Sequence, residues 1–345
     1  MTFGAPARTT IRVPGDKSIS HRSLILAALS EGTSSIGGLL DSADVRSTAA
    51  VLSALGVHIE TRGDIVSVRG RGLRGLSAPT HPLDCGNSGT TARLMSGVLA
   101  AHPFDSTLTG DASLSRRPMR RASEPLERMG ARFSFEGREG LPLTVHGGDL
   151  ASIGWVSRTS SAQIKSAILL AALNAQVGAS VSEPHRSRDH TERMLAARGV
   201  PVVVDGNSVS LGVARSMPAM DTTVPGDPSS AAFFIALAAL LPDRGIDLPG
   251  VCVNPTRIGF LDVVQRMGAV IAFDDESDAG GEPTATIRAT GSGSLKSVSV
   301  GAEEMPSMID EIPMLACMAA RAAGETVISG ALELRVKESD RIAAV

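Results

Sequence analysis

VPGDKSISHRSLILAAL, residues 13–29, returns as VPGDPSSAAFFIALAAL, residues 224–240. Both stretches pass from a Pro-Gly turn into an Ala/Leu/Ile run, and self-similarity of this kind governs the choice of fold. Related segments, each with a polar start leading into an apolar helix, are CGNSGTTARLMSGVLAA from Cys85, SSAQIKSAILLAAL from Ser160 and MIDEIPMLACMAARAAG from Met308. A second signature is a helix ending in glycine and followed by an alternating strand pattern, at Gly56, Gly130, Gly199 and Gly268. Glycine suits the position after a helix because it adopts the left-handed conformation without a Cβ clash. Each unit therefore reads as strand, helix, strand, helix and hairpin, which makes the chain an α/β protein built from repeats.

LILAAL, ILLAAL and FFIALAAL leave almost no polar face, so these helices are expected at the centre, wrapped by sheets and outer helices. Three units fill residues 14–223, expected as domain 1. Residues 1–13 with 224–345 form domain 2, which holds a fourth unit and part of a fifth. The final ESDRIAAV lies inside a helix of that fifth unit, so the last unit is expected to be missing. A missing unit would expose the apolar faces of Phe233, Phe234 and Ile235.

Composition narrows the functions. The 345 residues carry 43% hydrophobic and 20% charged residues and a net charge of -3, as in an ordinary globular protein. Aromatics are 3%, without tyrosine, which argues against base-stacking surfaces and, with the acidic balance, against a nucleic-acid partner. The longest apolar run, from Ala231 to Leu241, is short of the roughly 18 residues of a membrane span. The opening MTFGAPARTTIRVPGD lacks the apolar stretch of an export signal, and a cytoplasmic protein is expected. Cys85, Cys252 and Cys317 show no metal or disulfide spacing and are expected as buried free thiols.

Function is expected at the helix starts, where unpaired N–H groups attract anions. Lys17, Ser18 and Arg22 mark the first start; Asn87, Ser88, Gly89 and Arg93 the second; Ser160, Ser161, Gln163 and Lys165 the third. Three such starts imply a substrate bearing several anionic groups. GDKS lacks the spacing of a nucleotide-triphosphate loop. Among Arg116, Arg117, Arg120 and Arg121, the last two read as a solvated helix face, whereas Arg117 precedes Pro118 at a helix entrance and can fork to an anion. Asp310 and Glu311 stand at a helix start, where acids also serve as caps. Lys337 and Arg341, four apart, can share a helix face beside Glu338, and their mutual repulsion suits an anion between them.

PGDKSISHR, CGNSGTTAR, RRPM and LRVKESDR together resemble the bacterial 5-enolpyruvylshikimate-3-phosphate (EPSP) synthase family, with SSAQIKSAILL and SRDHTERML closer to its class II members. The resemblance spans nearly the whole chain. It implies a two-domain enolpyruvyl transferase fold, an inside-out α/β barrel of βαβαββ units. The implied reaction moves the enolpyruvyl group of phosphoenolpyruvate to the 5-hydroxyl of shikimate 3-phosphate and releases phosphate, in aromatic amino acid biosynthesis. Carried over by position, Lys17, Ser18, Arg22, Ser161, Gln163, Arg188, Asp310 and Lys337 would hold shikimate 3-phosphate. Lys17, Gly89, Arg117, Gln163 and Arg341 would hold phosphoenolpyruvate, and Asp310, Glu338 and Lys17 would handle protons. Glyphosate is an implied inhibitor, with Gly89 where a Cβ would intrude. No metal or organic cofactor is implied, and the protein is expected to be a monomer. Further cationic contacts of the family lie beyond residue 345, so turnover by this chain alone is expected to be low. The alternatives are a non-catalytic anion-binding relative and UDP-N-acetylglucosamine enolpyruvyl transferase. The latter pairs its early Lys with Asn and carries a loop Cys; here Ser18 follows Lys17 and DASLSRRPM has no Cys.

Overall fold

The computed structural model describes residues 7–137, 139–242, 244–291, 293–336 and 339–345. The chain divides into two compact units, one formed by Lys17–Val224 and the other by Met1–Asp16 with Pro225–Val345.

Within Lys17–Val224 the repeat is regular. Helix α1 (Lys17–Ala28), strand Thr33–Gly37, helix α2 (Ala43–Ala54) and the hairpin His58–Arg62/Ile65–Arg69 make the first repeat. The second runs through strand Leu83–Asp84, α3 (Gly89–Ala100), strand Asp105–Thr109, α4 (Arg120–Arg128) and the hairpin Arg132–Phe135/Leu143–His146. Strand Ile153–Val156, α5 (Ala162–Ala175), strand Ala179–Ser182, α6 (His190–Ala197) and the hairpin Val202–Asp205/Ser208–Leu211 complete the third. Each repeat owns a four-stranded sheet in which a parallel leading pair is extended by the antiparallel hairpin. Gly56, Gly130 and Gly199 close α2, α4 and α6 at positive φ, as the sequence pattern expects.

The leading strands of two repeats are exchanged. Strand Ala7–Thr10 precedes α1 in the chain, yet it pairs in parallel with Arg244–Cys252 in the other unit, Ala7 opposite Arg244. The first repeat takes Thr222–Thr223 instead, Thr222 opposite Ile36.

Helices α1, α3 and α5 are the core of Lys17–Val224. A helix of 12 to 14 residues is marginal alone in water, so its stability comes from packing. Leu24, Ile25, Leu94, Met95, Ile168 and Leu169 are fully buried, each contributing about 1.5 to 3 kcal/mol. That exceeds any differences in helix propensity, about 0.7 kcal/mol per residue at most. Gly97 lets α3 approach α5 closely: a Cβ there would lie 2.2 Å from the carbonyl oxygen of Ala167.

In the second unit, helix α7 (Pro228–Leu240) packs on the sheet of Ala7–Thr10, Arg244–Cys252, Glu282–Thr290 and Val270–Ala279. Helix α8 (Gly259–Arg266) follows the first long strand and is closed by Gly268, again at positive φ. Helix α9 (Ile312–Ala319) connects the members of two short parallel strand pairs, Leu295–Lys296 with Ala322–Ala323 and Ser299–Val300 with Val327–Ile328, and α10 (Arg341–Ala344) follows. Ile235, Leu248, Val263, Ile287, Leu315 and Met318 share one core. Of the three residues expected to be bared, Phe233 is 62% exposed, Phe234 is half-buried against the core and Ile235 is fully buried, because α7 turns that stripe onto the sheet.

The two VPGD motifs meet in this unit. The Asp16 N–H donates to Pro225 O and the Asp227 N–H to Pro14 O, both at 2.8 Å, with Gly15 and Gly226 bridged in antiparallel fashion. Buried Arg257 binds both acids, Nη1 at 2.9 Å from Asp16 and Nη2 at 3.0 Å from Asp227. The repeated Asp thus has a structural purpose in each copy. Cys85 and Cys252 are buried, and burial pushes the Cys85 thiol up to about 12; Cys317 is exposed, contrary to expectation, because it faces out from α9.

Candidate active site

The starts of α1, α3 and α5 are tied to one another by side chains. Arg22 of α1, almost wholly buried, donates through Nε to Thr191 Oγ1 at 2.7 Å, through Nη1 to the Ser18 carbonyl at 2.9 Å and through Nη2 to Ser166 Oγ of α5 at 2.8 Å. Gln163, in the first turn of α5, donates to Thr90 Oγ1 and accepts from Arg93 Nη1, each at 3.0 Å. Both partners lie on α3, so the N-terminal ends of α3 and α5 point the same way. Lys17, the first residue of α1, is half-exposed, with its ammonium 3.4 Å from Asp44.

Arg117 reaches this cluster from the loop before α4. Its Nη2 donates to Asn87 Oδ1 at 2.6 Å, and the Asn87 amide donates to Asp111 at 2.6 Å. That bond, with the N–H of Leu114, holds the Asp111 carboxyl below the usual range. A short helix at Leu114–Arg116 places Arg117, and α4 begins only at Arg120, so Arg117 stands just ahead of the helix rather than in its first turn. Gly89 lies between the guanidinium groups: a Cβ on it would be 2.7 Å from Arg93 Nη1 and 3.5 Å from Arg117 Nη1. The lack of a Cβ on it lets the Arg93 guanidinium approach the start of α3 closely.

The chain matches the family model described as EPSP synthase (3-phosphoshikimate 1-carboxyvinyltransferase) over residues 2–345. The chain belongs to the EPSP synthase family. A 3-phosphoshikimate 1-carboxyvinyltransferase of Bacillus thuringiensis subsp. konkukian is 49% identical over 338 residues, covering 97% of this chain and 78% of the relative. Another from Xanthomonas campestris pv. campestris is 49% identical over 344 residues, covering 99% of this chain and 78% of the relative. The solved EPSP synthase of Acinetobacter baumannii superposes with a TM-score of 0.88 at 45% identity, covering 99% of this chain and 77% of that one.

As an EPSP synthase family member, the chain carries its expected site residues in two groups, one per unit. Lys17, Ser18, Arg22, Gly89, Arg117, Ser161, Gln163 and Arg188 lie in Lys17–Val224, and Asp310 and Arg341 lie in the other unit. Arg341 Nη1 is 3.1 Å from Asp310 Oδ1, with both side chains about one-quarter exposed. The cap reading does not hold for Glu311: it is the N-cap residue of α9, but its side chain makes no capping bond there and accepts from Ser229 Oγ. Lys337 and Glu338 lie outside the described residues. Asp340 adopts an extended conformation and caps α10, accepting from the N–H groups of Ile342 and Ala343, so that Arg341 is the first residue of that helix.

Lys165 departs from its expected place at an anion site. It is 4% exposed and turned inward, bridging Glu183 at 2.8 Å and Glu192 at 2.9 Å. Burial alone lowers a lysine, but the pull of Glu192 and Glu183 outweighs it and holds this ammonium above its ordinary value. Burial pushes the Glu192 carboxyl up, against the opposing pull of Lys165. Glu192 stands within SRDHTERML, but nothing there marks it as the partner of Lys165: an acid in the first turn of α6 is equally explained by capping. Among the described residues, no group of His, Cys, Asp and Glu is arranged to hold a metal ion, and no helix is long and apolar enough to cross a membrane.

Proposed function

We propose that this chain binds shikimate 3-phosphate and phosphoenolpyruvate and transfers the enolpyruvyl group to the substrate's 5-hydroxyl, with Lys17, Ser18, Arg22, Ser161, Gln163, Arg188, Asp310 and Lys337 serving the first substrate. The observation that carries the reading is the linkage of three helix starts through Arg22–Ser166 and Gln163–Arg93, which concentrates N–H groups and cations at one end of the Lys17–Val224 unit. Two anions must be brought together against their repulsion, and fixed cations meet that need while stabilising charge in the addition step.

Phosphoenolpyruvate is assigned to Lys17, Gly89, Arg117, Gln163 and Arg341. Its carboxylate or phosphate is proposed to bind beside the start of α3 at Gly89, where the guanidinium of Arg117 has a fork that suits either. Asp310 takes the proton of the 5-hydroxyl as that oxygen attacks C2 and Glu338 protonates C3; the C2–O bond to phosphate then breaks as C3 gives a proton back to Glu338, with the Lys17 ammonium facing the leaving phosphate. Glyphosate is proposed to compete for the same residues, and the protein to act as a cytoplasmic monomer in aromatic amino acid biosynthesis.

The test is calorimetric titration of shikimate 3-phosphate into the unaltered chain and into Lys17→Ala. Loss of one charge-assisted contact, about 1.5 to 3 kcal/mol, weakens binding by roughly 10- to 150-fold. Equal affinity of the two proteins would remove Lys17 from the site.

A further inference from the structure

We infer that Lys165 is a positioning residue for substrate binding, holding the Ser161–Gln163 turn and the loop that carries Arg188 from beneath through Glu183 and Glu192. The inference rests on the assignment of Ser161, Gln163 and Arg188 to shikimate 3-phosphate.

The geometry is complete within one unit. Lys165 Nζ lies 2.8 Å from Glu183 Oε2 and 2.9 Å from Glu192 Oε1, and it donates to the Ser187 carbonyl at 3.4 Å. Glu183 Oε1 in turn accepts the N–H of Ser161, the N-cap residue of α5, at 2.8 Å, and both its oxygens accept from Ser187 Oγ. Ser161 makes no capping bond with its own side chain, so the carboxylate of Glu183 fixes the entry to α5 and the hydroxyl is not committed to the helix. One ammonium thus touches, directly or through one carboxylate, the residue at the α5 entry and the residue next to Arg188.

Stability does not account for these charges. All three side chains are at most 4% exposed, and burying ions costs several kcal/mol each before pairing, so an apolar trio of similar volume holds a fold as well or better. An apolar trio cannot accept the Ser161 N–H. Two carboxylates share one ammonium, and Glu192 Oε2 has no hydrogen-bond partner among the described residues, so the socket is complete on the side of Ser161 and Ser187 and unbalanced on the side of α6. The raised carboxyl of Glu192 agrees with that imbalance.

The test replaces the socket by apolar side chains, Lys165→Met with Glu183→Leu and Glu192→Met, and measures melting temperature and shikimate 3-phosphate affinity by calorimetry. The expected result is a melting temperature at or above that of the unaltered chain with affinity weakened about 10-fold or more, the size of a lost charge-assisted contact. A folded triple variant that binds as tightly as the unaltered chain overturns the inference. If the triple variant does not fold, Glu183→Gln carries the test: about threefold or weaker binding at unchanged melting temperature supports the role, from the loss of the charge on one acceptor, and unchanged binding overturns it. Absence of binding by the unaltered chain is a separate result, which overturns the substrate assignment and this inference together.

Discussion

Asp310→Asn is expected to slow phosphate release from phosphoenolpyruvate in the presence of shikimate 3-phosphate by about two to four orders of magnitude, the range of a lost general base. Asn keeps the size of the side chain and an oxygen that can still accept from Arg341, now 3.1 Å away, but it does not take up a proton at neutral pH. The side chain is only about one-quarter exposed and sits immediately before α9, whose N-terminal turn fixes the backbone there. The loss should therefore fall on kcat, with substrate affinities changed far less. At about 1.4 kcal/mol per tenfold, it corresponds to roughly 3 to 5.5 kcal/mol of barrier. A kcat within twofold of the unaltered protein would assign the proton transfer elsewhere.

Gly97→Val is expected to destabilise the Lys17–Val224 unit by about 3 kcal/mol or more, at the upper end of overpacking effects. The added Cβ would stand 2.2 Å from the Ala167 oxygen, 2.8 Å from its carbonyl carbon and 2.9 Å from its Cα. These are backbone atoms of α5 and cannot rotate aside, so α3 and α5 must part and loosen the packing of Met95, Val98 and Leu99, all fully buried. For a unit of this size the melting temperature should fall by roughly 6 to 12 °C. Gly148→Ala is the control, because nothing lies within 4 Å of a Cβ there. A Gly97→Val protein that melts within 2 °C of the unaltered one would show that the close approach of the two helices carries no stability.

Much of this architecture is legible in local sequence. A hydroxyl or glycine before an apolar run reads as a helix start, and Gly56, Gly130, Gly199 and Gly268 read as helix ends because only a residue without a Cβ adopts their φ at no strain. Residues 1–13 are grouped with 224–345 at the level of the domain, but the strand pairing itself is not legible, since nothing in Ala7–Thr10 marks Arg244–Cys252 as its neighbour. The same limit applies to the site. Lys17, Gly89, Arg117 and Gln163 stand in recognisable motifs, whereas the inward turn of Lys165 depends on Glu183 and Glu192, which reach it only once α5 and α6 have packed. Charge at a helix start signals an anion site or a buried ion pair alike, and tertiary contacts decide between them. ESDRIAAV reads as one helical run, yet Asp340 is extended and its short side chain accepts from the N–H groups of Ile342 and Ala343, so that α10 begins at Arg341.

The most direct measurement is a crystal structure of this chain with shikimate 3-phosphate. The phosphate group should lie within hydrogen-bonding reach of the Lys17 ammonium and the Ser161 hydroxyl, with Gln163 turned toward the ring. Density for the phosphate instead in the cleft of about 430 Å³ lined by His58, Arg69 and Arg71, with the starts of α1 and α5 empty, would contradict the account.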